Sequence, residues 1–171
     1  MTFDPAAAAR PDSGIFGLLD TPESARVVLV PVPFEATVSY GGGTSRGPAA
    51  ILEASRQIDL FDLETGRPYA AGIAMLPEAE EVRAWSEQAR ALAAPVIEAG
   101  GGGDDPALRA ACAQVDALGD RVNDWLAAQV GPLLEQGKLV GVLGGDHSVP
   151  FASIAAHARR YPGMGVLHVD A

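Results

Sequence analysis

Four short apolar runs punctuate the chain. Val27-Val28-Leu29-Val30 is β-branched and bounded by Pro31 and Pro33, which reads as a buried strand stopping at the prolines. Residues 70–76 form a second apolar run ended by Pro77, and Leu139-Val140-Gly141-Val142-Leu143 a third. Gly165-Val166-Leu167-His168-Val169-Asp170 has the same character and is expected to be a fourth strand. Residues 60–69 mix acidic side chains with Gly66 and Pro68, as in a short strand and turn.

Between these runs the apolar spacing changes to three and four. Pro48 suits the first turn of a helix that Ile51, Leu52, Ser55 and Ile58 carry to about 58. Val82, Trp85, Ala89 and Leu92 predict a helix over 78–99, kinked or ended by Pro95. Asp105 before Pro106 is a helix-start signal. Leu108, Cys112, Val115, Leu118, Val122, Trp125 and Leu126 then give a core-facing stripe. Residues 150–160 form a further helix with Phe151, Ile154, Ala155 and Ala158 on one face. Strands alternating with helices imply an α/β domain with a mainly parallel sheet. Residues 1–25, rich in Ala and Pro, read as a loosely held arm before a body at 26–171. That body ends on its fourth strand with no helix to cover it, so an incomplete domain is expected.

Composition narrows the function. Net charge is −10, with 48% apolar and 20% charged residues, as in a globular domain. No basic stripe is present to neutralise phosphates, which argues against a nucleic-acid partner. No apolar run is long enough for a membrane span and no signal peptide is evident, so a cytoplasmic location is expected. Cys112 stands alone, which excludes an intrachain disulfide and a cysteine-based zinc site, and reads as a buried packing thiol. The Gly-rich run at 100–103 lacks the Lys-Ser/Thr of a phosphate loop.

Chemistry concentrates where parallel strands end, since ligands gather outside their carboxyl termini. The third run passes directly into Gly144-Gly145-Asp146-His147-Ser148, and the fourth ends at Asp170. If those strands are neighbours, His147 and Asp170 face one crevice with an imidazole and a carboxylate, both ligands for a divalent ion. The two glycines are expected to allow a turn that a Cβ would resist. An alternative use of the motif is capping, with Asp146 or Ser148 closing the helix that opens near Pro150. His168 shares a strand face with Asp170 and is expected to be packed and hydrogen-bonded, or to stand behind the ligands. His157, beside Arg159 and Arg160, reads as solvated surface.

Gly144-Gly145-Asp146-His147-Ser148 resembles the first metal motif of the ureohydrolases, the arginases and agmatinases. His168-Val169-Asp170-Ala171 resembles the opening of their second. The stretch from Val32 to Tyr40, with Gly43-Thr44-Ser45-Arg46-Gly47-Pro48, is similar to the agmatinase-type opening. Residues 77–130 carry no mark of the family. The resemblance implies a three-layer α/β/α sandwich, here lacking its C-terminal part. It implies two Mn2+ ions in the complete site, with His147 as ligand to one and Asp170 as bridging and catalytic ligand. Asp146 and His168 would stand behind them, and the Tyr40 loop, otherwise a plain flexible connection, would border the substrate. The implied reaction is attack of metal-activated water on a guanidinium carbon, most simply agmatine to putrescine and urea. A trimer or hexamer is also implied. The fragment alone is expected to be inactive. Two other functions fit the same residues: a catalytically inactive binding or scaffold protein of this fold, and a different metal amidohydrolase such as a deacetylase.

Overall fold

The computed structural model describes residues 9–10, 12–38 and 40–170. Ser39 and Ala171, quoted in the motifs above, lie outside them. Three strands form one parallel sheet: β1 (Val27–Val32), β2 (Ile73–Met75) and β3 (Leu139–Gly144), in the order β2-β1-β3. Four α-helices accompany them: α1 (Gly47–Ala54), α2 (Glu80–Glu98), α3 (Pro106–Glu135) and α4 (Phe151–Arg160). The α/β expectation therefore holds.

β1 does not stop at the prolines. It runs through Pro31, which pairs in register with Leu143 of β3. The reason lies in strand parity. Leu29 accepts a hydrogen bond from Leu76 N on the β2 side, so Pro31, two residues on, turns its donor-less nitrogen to that side. β2 has already ended opposite Leu29, so no ladder bond is lost.

The other parity of β1 carries the core. Val28, Val30 and Val32 are fully buried. Val30 and Val32 pack with Val82 and Ala89 of α2, with Leu118, Val122, Leu126, Val130 and Leu134 of α3, and with Ala152 and Ala156 of α4. The stripe expected on α3 is thus real, and it continues a further two turns because the helix runs to Glu135. Asp105 caps that helix by accepting from Ala107 N at 2.8 Å, with Pro106 in the first turn.

Pro95 does not end α2; the helix continues past it to Glu98. It stops at Gly100, whose φ of 75° lets its N–H reach Ile97 O while Gly101 N reaches Val96 O. The first helix is shorter than expected, closing at Ala54 into a 3-10 turn over Ser55–Gln57. Residues 60–69 hold only an isolated Asp62–Gly66 bridge, and a 3-10 turn at Pro68–Ala71 precedes β2.

Three larger corrections follow. The segment at 12–25 is not a loose arm: Ile15 and Leu18 are buried, and Arg56 donates to Ser13 O at 2.8 Å. Helix α4 turns its small side chains, Ala152, Ser153 and Ala156, inward, whereas Phe151 and Ile154 are exposed. Small residues let α4 approach α3 closely, which the larger face would prevent. Residues 164–170 form no strand. They run along the surface, with Leu167 90% exposed, because the apolar side chains of a parallel strand need cover on both faces and none is at hand among the described residues. No helix of the described residues is long and apolar enough to cross a membrane.

Candidate metal centre

Two loops leave the carboxyl rim of the sheet, one after β1 and one after β3. They are stitched together by backbone and by one carboxylate. Asp146 N donates to Phe34 O at 2.9 Å, and Ala36 N donates to Asp146 Oδ2 at 2.9 Å. The other oxygen, Oδ1, accepts from the amide and hydroxyl of Ser148. Asp146 is therefore committed to holding the turn. It does not cap α4, whose N-terminal residue Pro150 has no side-chain cap.

The glycines of this turn serve close packing, not an unusual backbone conformation. Neither Gly144 nor Gly145 has a positive φ. A Cβ on Gly145 would lie 2.1 Å from Phe34 O and 2.8 Å from Val32 O, so the turn fits against β1 only without one. The expectation that a Cβ would be resisted here therefore holds, and close packing is the reason.

The turn presents His147 outward. Its Nε2 stands 3.0 Å from His168 Nε2, and its Nδ1 lies 3.6 Å from Asp170 Oδ2. His168 Nε2 is 3.8 Å from the same carboxylate oxygen. One ligand atom from each of the three residues lies within 4.8 Å of the others, and all three residues are exposed. His147 and Asp170 do come together, although Asp170 arrives on an irregular surface segment and not on a strand. His168 is the larger surprise. The expected hydrogen bond is present, since its Nε2 is within hydrogen-bonding distance of His147 Nε2, but the expected packing is not, since the residue is exposed. Two imidazoles and a carboxylate at these separations suit a divalent ion of borderline or hard character. A cleft of about 930 Å3 adjoins the two histidines, walled by Asp120 and Asn123 of α3, Phe151 and Ile154 of α4, and Val166 and Leu167.

The remaining candidates lie apart. Tyr40 is fully exposed, so its ring packs against none of the three. His157 is half-buried with Nδ1 2.8 Å from Ser153 O, which removes it from the free surface. Cys112 is a free, half-buried thiol, not a fully buried one.

Sequence reasoning passed over Glu35. Its carboxylate is buried, with 5% of the residue exposed, directly before the Tyr40 loop. Oε2 accepts from Gly43 N at 2.8 Å, Ser45 N at 3.0 Å and Thr44 Oγ1 at 3.2 Å. Burial pushes the carboxyl up, but the amides of Ser45 and Gly43, the Thr44 hydroxyl and the nearby Arg90 charge outweigh it and hold Glu35 below the ordinary glutamate range. A lone acid in the apolar stretch 32–36, just ahead of Gly-Gly-Thr-Ser with its free amides, was the available signal. The loop is thus tied to a buried group, not a plain flexible connection.

The model of the arginase family matches residues 25–171. The chain is 35% identical over 159 residues to an N(1)-aminopropylagmatine ureohydrolase of Thermus thermophilus, covering 92% of this chain and 43% of that protein. It is 32% identical over 149 residues to an agmatinase of Bacillus anthracis, covering 87% of this chain and 40% of the relative. A shorter match, 43% identical over 51 residues, reaches human arginase-1 across 30% of this chain and 16% of that enzyme. The chain therefore spans less than half the length of these relatives. No solved structure matches it.

Proposed function

The chain belongs to the arginase family, and from that premise we propose that it is the N-terminal part of a ureohydrolase that cleaves a guanidino amine to urea and the corresponding amine. Arginase-family hydrolysis depends on a binuclear metal centre. The observation that carries the reading is the meeting of His147, just after β3, with Asp170, on the surface segment that follows α4.

His147 and Asp170 would hold the metal, which we take to be manganese, together with further ligands from the rest of the protein. The donor set fits: the imidazole and carboxylate atoms are close enough to converge on one ion, and all three residues are exposed. Bound divalent ions supply a lowered pKa for water at the site. The residues supply placement. Asp146 fixes the turn that aims His147, and Asp170 would offer a carboxylate as ligand and as proton acceptor.

Agmatine is the substrate suggested by the agmatinase-like opening segment. A second reading, N(1)-aminopropylagmatine, is favoured by the Thermus relative, which carries that activity in its name. The complete protein is a trimer or hexamer on this reading, which light scattering checks. The deciding experiment is urea release by the full-length protein loaded with manganese. Agmatine and its aminopropyl derivative are compared at matched concentration, with and without chelator. Urea formation lost on chelation and in His147→Ala is the expected result. Failure with every guanidino amine by a metal-loaded protein would retire the reading.

A further inference from the structure

Glu35 is a buried titratable group that the proposed reaction does not use. Its partners are not scattered. All three donors come from one stretch, Gly43 to Ser45, and all three meet the same oxygen. The other oxygen lies against Gly42, where a Cβ would come within 2.9 Å of Oε1. Gly43 holds a φ of 121°, open to glycine alone, and this turns its N–H onto the carboxylate. Arg90 adds a second tie on the approach to the loop, donating to Val38 O at 2.8 Å. Ser86 fixes the Glu35 backbone by accepting from its amide at 2.8 Å. The loop's far end sits against the metal turn, where a Cβ on Gly47 would lie 2.8 Å from Gly144 O. Residues 40–46 are thus a short arch, pinned from beneath by one carboxylate and abutting the turn that carries His147.

We propose that Glu35 is a positioning residue: its buried carboxylate holds the 40–46 arch at the carboxyl rim beside the metal turn, and so sets affinity for the guanidino substrate without touching it. The substrate half of this statement rests on the ureohydrolase reading; the arch itself does not. A charged acceptor matters because three donors on one oxygen need a full negative charge to be satisfied, and hydrogen bonds to charged groups are the strong ones.

Two measurements test it. In the 171-residue chain, amide hydrogen exchange is followed in Glu35→Gln and Thr44→Val. The amides of Gly43 and Ser45 are expected to exchange roughly tenfold faster in Glu35→Gln, as for loss of a hydrogen bond to a charged group, while β1 amides are unchanged. Thr44→Val removes one of the three donors and gives a smaller change in the same direction, and it serves as the test if Glu35→Gln fails to fold. Unchanged exchange at Gly43 and Ser45 in a folded variant overturns the proposal. In the full-length, metal-loaded protein, Glu35→Gln is expected to raise KM for agmatine roughly tenfold with kcat and metal content nearly unchanged, and Glu35→Asp to recover part of it. A fall in kcat at constant KM, or loss of metal, overturns the positioning role. An unaltered protein that releases no urea counts against the ureohydrolase reading and its substrate half, and the exchange result distinguishes that failure from failure of the arch.

Discussion

A Cβ at Gly145 would meet two carbonyl oxygens of the backbone, Phe34 O and Val32 O, neither of which can rotate away. Gly145→Ala is therefore expected to destabilise the protein toward the upper end of the overpacking range, about 3 kcal/mol, read from the urea midpoint. The same change displaces the turn that aims His147, so metal affinity should fall in the variant even below its unfolding temperature, as titration calorimetry would show. Asp146→Ala removes the acceptor of Ala36 N and of Ser148; it is expected to cost about 1–3 kcal/mol, the usual penalty for orphaned donors. Glu35 adds a pH dependence whose sign is fixed by its depressed native pKa. The unfolded chain takes up this proton more readily than the folded one. The stabilisation is complete above the ordinary glutamate pKa and is lost as pH falls through the lower native value. Denaturant midpoints measured from neutral to acid pH should fall less steeply in Glu35→Gln than in the unaltered chain.

At the scale of elements, α3 is the spine against which sheet and helices pack. Leu126, fully buried at its centre, touches the core shared by β1, α2 and α4. Leu126→Ala is expected to cost about 2–5 kcal/mol, measured by equilibrium unfolding. This element was legible because its stripe of three and four, its Asp-Pro start and its length all agree. β1 and β3 were legible for the same reason, as unbroken apolar runs. What failed was local punctuation read without neighbours. Pro31 looked like a strand end, and only the shortness of β2 shows why it is not. Phe151 and Ile154 looked like an inward face, but the closeness of α3 favours alanine and serine there. The candidate centre was half legible. His147 was marked by its place just after β3, whereas Asp170 and His168 lie on a surface segment that apolar patterning assigns to a strand. Glu35 was missed because its partners are backbone amides, which no residue type announces.

For the whole molecule, the sheet is covered unevenly. The face bearing Val28, Val30 and Val32 is packed by three helices, whereas β3 is only half-buried and Val166, Leu167 and Val169 are exposed. Such a cluster of exposed apolar side chains marks a contact surface. The 171-residue chain is expected to bind a hydrophobic dye strongly, and Leu167→Lys with Val169→Lys to reduce that signal while leaving the far-ultraviolet circular dichroism unchanged. An equal dye signal in both would place the open apolar surface elsewhere.

Pro31 has a consequence beyond its own strand. β2 pairs with β1 only as far as Leu29, while β3 follows it to Val32. A neighbour growing along the β2 side would find no donor at Pro31, so that flank of β1 resists extension whatever sequence follows Met75. The rim is stepped in consequence, low over β2 and high over β3. A missing hydrogen atom thus acts as a ruler for the sheet: it sets how far one side may rise, and leaves a ledge on which loops can settle.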